Sequence, residues 1–248
     1  MIILSIFFFV TAILYSSVGF GGGSTYLALL LIWDMPYYIF PVIALICNII
    51  VVSSNSFNYI RAGNYNIGLL IPFLAGSIPL SFIGGTLVLK KEIFEIFLFI
   101  VLSAAGLLIL INNKYYENKT IIIKKVNIFF SFLIGSILGL VSGIVGIGGG
   151  IFLSPVLYIL KAEEPKIIAT TASLFILINS ISGILGQFTK EIIFIEIFNY
   201  WLLFPSVLLG GLVGNYLNLK IFSNRILAII TSILVIFVAL RIGYRIFF

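Results

Sequence analysis

Long apolar runs alternate with short polar breaks along the chain, at about 2–32, 37–59, 66–89, 93–111, 126–160, 166–188, 193–218 and 223–247. Most are long enough for a helix to cross the roughly 30 Å of hydrocarbon in a bilayer. A backbone in lipid must satisfy its own hydrogen bonds. Barrel strands would be shorter and would alternate apolar with polar positions. The pattern therefore predicts an all-α integral membrane protein of about eight helical segments.

Two runs, 2–32 and 126–160, are longer than one crossing needs. Each holds a glycine cluster in its interior, Gly19-Phe20-Gly21-Gly22-Gly23 and Gly146-Ile147-Gly148-Gly149-Gly150. Glycine costs a helix about 1 kcal/mol per residue relative to alanine. Each long run is predicted to be two helical pieces with a non-helical joint. The clusters also expose an internal repeat. Val18–Gly23 reads VGFGGG and Val145–Gly150 reads VGIGGG. At nearly the same offset, Pro79–Gly85 (PLSFIGG) aligns with Pro205–Gly211 (PSVLLGG). Residues 1–111 and 126–248 are expected to be two homologous halves, joined by the polar, lysine-bearing linker 112–125.

Two topologies stay open. If every segment crosses fully, the basic residues divide almost evenly between the two sides. If each glycine-broken segment instead turns back to the side it came from, the halves are inverted. The basic excess then falls on the linker side, as the positive-inside rule favours. The opening run has no Lys or Arg ahead of it and no small-residue cleavage pattern after it, so it is expected to be a first membrane segment rather than a removed leader.

Composition narrows the chemistry. Hydrophobic residues make up 62% of the chain and charged residues 9%, where a soluble domain carries roughly 25% charge. There is no histidine and only one cysteine, Cys47. Histidine-based triads, haem and zinc ligation are thereby excluded, as is an intrachain disulfide. The basic residues behind the net charge of +6 are scattered over short loops, so nucleic acid is not an expected partner. All the acids lie near segment ends. That removes the carboxylate pairs of acid–base catalysis or a two-metal site and argues against a buried-carboxylate cation site. No cofactor, metal or enzymatic activity is expected. Cys47, in an apolar run, is expected to be a small core residue.

Neutral polar groups do enter the segments. The first half holds Ser16, Ser17, Ser24, Thr25, Asn48, Ser53, Ser54, Asn55 and Ser56; the second holds Ser142, Ser154, Thr170, Thr171, Ser173, Asn179, Ser180 and Gln187. Hydroxyls, amides and backbone N–H groups are good donors to an oxyanion. A helix restarting after a glycine joint adds unpaired N–H groups and a positive dipole end. Two such joints facing each other at the membrane midplane would bind a small anion without any charged side chain. The bland reading is helix packing, which also favours small residues. Packing, however, prefers one small residue every fourth position, not three glycines in a row. No Gly-Lys-Ser/Thr follows either cluster, so neither is a phosphate-binding loop. Arg61 and Lys190 end corresponding segments and are read as interfacial anchors, or alternatively as an electrostatic lure for anions.

The paired GFGGG and GIGGG motifs, the stretch Ala169-Thr170-Thr171-Ala172-Ser173-Leu174, Asn48 and the two Pro-to-Gly-Gly segments together resemble the sulfite exporter TauE/SafE family. The resemblance covers nearly the whole chain. It implies a bacterial inner-membrane permease for small anions, chiefly sulfur-containing ones such as sulfite or organosulfonates. The chain departs from it in two places. Ser24-Thr25-Tyr26-Leu27-Ala28 lacks the proline kept in Ser154-Pro155, and the first half has Cys47 and Asn48 at the level of Thr171–Ser173. The two half-sites are therefore unlike.

The expected function is secondary transport of a small anion by rocking of the halves. Gly19, Gly21, Gly22, Gly23, Gly146, Gly148, Gly149 and Gly150 would shape the joints. Ser24, Asn48, Thr170, Thr171 and Ser173 would donate hydrogen bonds. A proton or sodium ion is the expected coupling partner and lipid the surrounding one. A non-transporting accessory subunit and an intramembrane enzyme are the rival classes.

Overall fold

The computed structural model describes residues 1–17, 19–112, 123–190 and 196–218, with 233, 236, 239, 240, 243 and 244. The predicted segment 223–247 and the linker 112–125 fall largely outside the described residues. Among those described, every regular element is helical: α1 (Ile2–Ser16), α2 (Gly23–Ile32), α3 (Phe40–Arg61), α4 (Ile67–Thr86), α5 (Lys91–Asn112), α6 (Ile128–Val145), α7 (Gly150–Ile159), α8 (Pro165–Gln187) and α9 (Leu203–Asn218). α4, α6, most of α8 and α3 with its leading 3-10 turn are long and apolar enough to cross a membrane. The chain is an all-α membrane protein.

Both glycine-rich runs break where expected. α1 stops at Ser16 and α2 starts at Gly23; α6 stops at Val145 and α7 starts at Gly150. The predicted run 193–218 is different. A 3-10 turn occupies Phe198–Tyr200 and the helix begins only at Leu203. Pro205 then lies in its first turn, where a missing N–H costs nothing.

Hydrogen bonds between loops fix the direction of each helix. The Lys124 N–H, just before α6, donates to the Lys161 carbonyl just after α7 at 2.9 Å. The pair α6–α7 therefore enters and leaves on one face, the linker face. α3 ends on that face too, because Asn66, beyond its end, donates to Glu163 Oε1 at 2.7 Å. α3 starts on the opposite face, where Tyr38 donates to Glu196 Oε1 at 2.6 Å. α2 ends only a few residues before α3 begins, so it too ends on that opposite face. α1 runs alongside α9, with Gly210 against the Phe9 carbonyl and Gly214 against that of Ile13. Since α9 descends from the Glu196 side, α1 starts there as well. Each broken segment thus turns back, α6–α7 to the linker face and α1–α2 to the opposite one.

The crossings that hold this frame are small-residue contacts. Gly135, Gly139 and Gly143 of α6 lie on the Phe73, Ser77 and Ser81 carbonyls of α4. Gly84 of α4 faces α6 at Leu140, and Gly85 faces α8 at Gly183. In α9, Gly210 faces α1 at Phe9 and Gly211 faces α3 at Val51. Each Gly-Gly pair therefore sits between two helices, α6 and α8 for the pair in α4, α1 and α3 for the pair in α9. An apolar core of Leu4, Phe8, Leu27, Phe40, Ile43, Leu98 and their neighbours fills the space around α1, α2, α3 and α5.

Candidate functional site

The two short helices begin and end alike. Gly22 (φ +90°) and Gly149 (φ +77°) are their N-caps, both left-handed, which side-chain-bearing residues rarely adopt. The Gly22 carbonyl accepts from Thr25 and Tyr26, both at 3.0 Å; that of Gly149 accepts from Phe152 and Leu153, both at 3.1 Å. Their far ends close on Asp34 (φ +49°) and Lys161 (φ +51°), again matched positions. Each helix has 10 residues, about 15 Å, or half the hydrocarbon thickness. α2 ends on one face and α7 on the other, so both N-termini lie near the middle.

There the joints touch. A Cβ placed on Gly23 would lie 2.9 Å from the Ile147 carbonyl oxygen and 2.8 Å from Asn48 Nδ2. Asn48, eight residues into α3 and fully buried, packs against Gly21 and Gly23 of one joint and Gly148 of the other. Its Nδ2 donates to the Gly146 carbonyl at 3.2 Å, while its Oδ1 is buried without a donor. Neither short helix has a side-chain cap on its first amides. Buried, uncapped N–H groups in the first turn with a positive dipole end form a seat for an anion.

Between the joints lies a cavity with room for about one water molecule. It is lined by Tyr15, Phe20, Gly21, Gly22, Gly23, Ser24, Ile147, Ile151 and Ile176. Tyr15 was not among the expected site residues. Its hydroxyl stands 2.7 Å from Thr25 Oγ1 and 3.2 Å from Ser24 Oγ, bracing the start of α2. In the sequence it is one more aromatic in an apolar run, with no signal that sets it apart.

Of the expected residues, Gly21, Gly23, Gly146 and Gly148 meet at Asn48, and Gly22 and Ser24 line the cavity beside them, whereas Gly19 lies against Tyr59, Gly149 against Phe175 and Gly150 against Ile176. Thr170, Thr171 and Ser173 are buried on α8, roughly one to two turns before Ile176. The hydroxyls of Thr170 and Thr171 donate to the carbonyls of Lys166 at 2.9 Å and Ile167 at 2.8 Å, within their own helix. Ser173 Oγ pairs with Ser56 Oγ of α3 at 3.0 Å, tying the two helices together. Ser180, outside the expected set, places its unpartnered Oγ 3.3 Å from the side-chain position of Gly148. Of the neutral polar groups read from the sequence, all but Ser53 and Ser54 are buried. Among the described residues no cluster of acids or Cys could hold a metal.

Lys190 lies beyond the end of α8. Its ammonium donates to the Leu87 carbonyl at 2.7 Å and to Gln187 Oε1 at 2.9 Å. Gln187 in turn donates to the Gly143 carbonyl at 2.9 Å. Desolvation in this half-buried position pushes its pKa down to about 8. Arg61, ending α3, is exposed.

A helical membrane protein whose two interrupted segments enter from opposite faces and meet at mid-depth is built as a solute transporter. The chain belongs to the sulfite exporter TauE/SafE family, whose family model matches residues 4–242. It is also 26% identical, over 240 residues, to the "Probable membrane transporter protein y4hK" of Sinorhizobium fredii (strain NBRC 101917 / NGR234), covering 96% of each chain. No solved structure matches it.

Proposed function

We propose that this membrane transporter carries a small anion, a sulfur oxyanion such as sulfite or an organosulfonate, across the bacterial inner membrane by alternating access. One observation carries the proposal: two uncapped, buried helix N-termini come from opposite faces and meet at Asn48, with no charged side chain beside them among the described residues. Donors without full charge hold an anion and still release it. The name of the family supports sulfite. The matched caps of α2 and α7, and the exchanged Gly-Gly clamps, support two homologous halves that rock about the joints. Among the described residues, Arg61, Lys124, Lys125, Lys161 and Lys166 gather on the linker face, against Lys90, Lys91 and Lys190 opposite. The positive-inside rule then puts the linker in the cytoplasm. A proton or sodium gradient would drive the cycle.

The test is flux in proteoliposomes with sulfite, sulfate, thiosulfate, a sulfonate and acetate, with and without a pH gradient. Sulfite should move and acetate should not. Gly22→Val and Gly149→Val should abolish flux while the protein still reaches the membrane folded. Normal transport by both variants, or no movement of any sulfur anion, would overturn the proposal.

A further inference from the structure

The amide orientation of Asn48 says more about the ligand. The Gly146 carbonyl at 3.2 Å can only accept, so the atom facing it is Nδ2. Oδ1 is then forced to the other side, against Gly21, with no hydrogen bond and no solvent exposure. A buried carbonyl without a donor is uncommon and costs stability. The joint therefore offers two kinds of group. The first amides of α2 and α7, and the hydroxyl of Ser24, donate. Asn48 Oδ1 only accepts. A bare dianion would satisfy the amides but set its lone pairs against Oδ1.

The helices around the joint place no charged or carboxylic side chain there. The only charged side chains on α2, α3, α6, α7 and α8 are Arg61 and Lys166, both exposed near helix ends. The other titratable groups on those helices and on α1 are tyrosine phenols and the Cys47 thiol, ordinarily neutral at physiological pH. We infer that the transported species brings its own donor: a monoprotonated oxyanion such as hydrogensulfite is carried, and the fully deprotonated dianion is not. The inference rests on the anion-transport proposal above and sharpens it.

The experiment is initial flux of labelled sulfite into proteoliposomes buffered to one pH on both sides, repeated across the second ionisation of sulfite at fixed total concentration. Above that ionisation the rate should fall about tenfold per pH unit, following the protonated share. Sulfate, a dianion at every pH used, should move at less than about a tenth of the sulfite rate below that ionisation. Asn48→Leu, verified as folded, should lose most of the flux and the slope with it. The wild-type measurements stand even if that variant does not fold. A rate that is flat or rises with pH, or sulfate carried as fast as sulfite, would overturn the inference and leave anion transport standing. A sodium requirement without dependence on the protonated share would give Oδ1 to a bound cation and overturn it equally. No sulfur anion moving at any pH would instead sink the broader proposal.

Discussion

The two glycine joints share a motif and differ in what surrounds them. At the first, Gly19–Gly23, the neighbours are Tyr59, Asn48, Tyr26 and Tyr15. At the second, Gly146–Gly150, they are Pro41, Phe175 and Ile176, with Asn48 and Ser180 reaching Gly148. The residue after the glycines is Ser24 in one copy and Ile151 in the other, and both line the cavity. Even the backbones differ: Gly148 is left-handed (φ +82°), while Gly21, its counterpart, is not. The motif sets where the helix breaks. The helix packed against the break, α3 or α8, sets the chemistry. The resulting site is polar on one flank and aliphatic on the other.

The largest effect should separate Gly21 from Gly148. A methyl on Gly21 meets no backbone strain but runs into Asn48 Oδ1. Gly21→Ala should therefore cut flux more than tenfold and lower the melting temperature through overpacking alone. Gly148→Ala adds a left-handed alanine, costing about 1 kcal/mol, and meets Ile176 at 2.8 Å. It should lose flux as well, and more of the melting temperature. Equal melting curves for the two would show that the joints are strained alike and that the contrast between them is wrong.

How much of this was legible beforehand depends on the residue. The breaks at the glycines were, because three consecutive glycines have a local cost that no packing role needs. The re-entrant turn was visible only as one of two options. Hydropathy does not record direction, and the Lys124–Lys161 hydrogen bond does. Thr170 and Thr171 look like donors in sequence, yet a hydroxyl inside a helix can bond the carbonyl four residues back, and both do. Tyr15 reads as one more aromatic in an apolar run; only its place against Ser24 and Thr25 marks it. The late start of α9 was hidden because Phe198 and Trp201 are as apolar as the helix that follows.

The Gly-Gly clamps extend the comparison from the joints to the scaffold. Gly85 lies hard against the Gly183 carbonyl, whereas at Gly211 the nearest atom, Val51 Cα, is 3.6 Å from the side-chain position. Gly85→Ala should destabilise by about 1–3 kcal/mol through overpacking. Gly211→Ala makes an ordinary van der Waals contact with Val51 from within a helix and should be neutral or stabilising by up to about 1 kcal/mol. Denaturation in detergent reads both, and the same sign for both would break the assigned contacts. A smaller effect, about 1 kcal/mol, is expected from the Ser56–Ser173 hydrogen bond across α3 and α8. A double-mutant cycle with alanine at each position should return most of that as coupling. Zero coupling, with both single variants inactive, would return Ser173 to the ligand.

The smallest effect concerns the helix ends, where the halves differ again. Lys190 is half-buried with its pKa lowered from 10.5 to about 8, through desolvation. Between those values the unfolded chain binds more protons than the folded one, so stability rises with pH across that window. The penalty is fully present below pH about 8 and is relieved above it. Partial exposure keeps the gain well below the roughly 1.4 kcal/mol per pKa unit of a fully buried group. Melting temperatures of the wild type relative to Lys190→Met should climb from pH about 8 and level off near 10.5. Arg61→Met, at the exposed end of α3, should track the wild type at every pH, because a guanidinium stays charged throughout. A pH-independent difference for Lys190→Met would mean that its ammonium is solvated like that of any surface lysine.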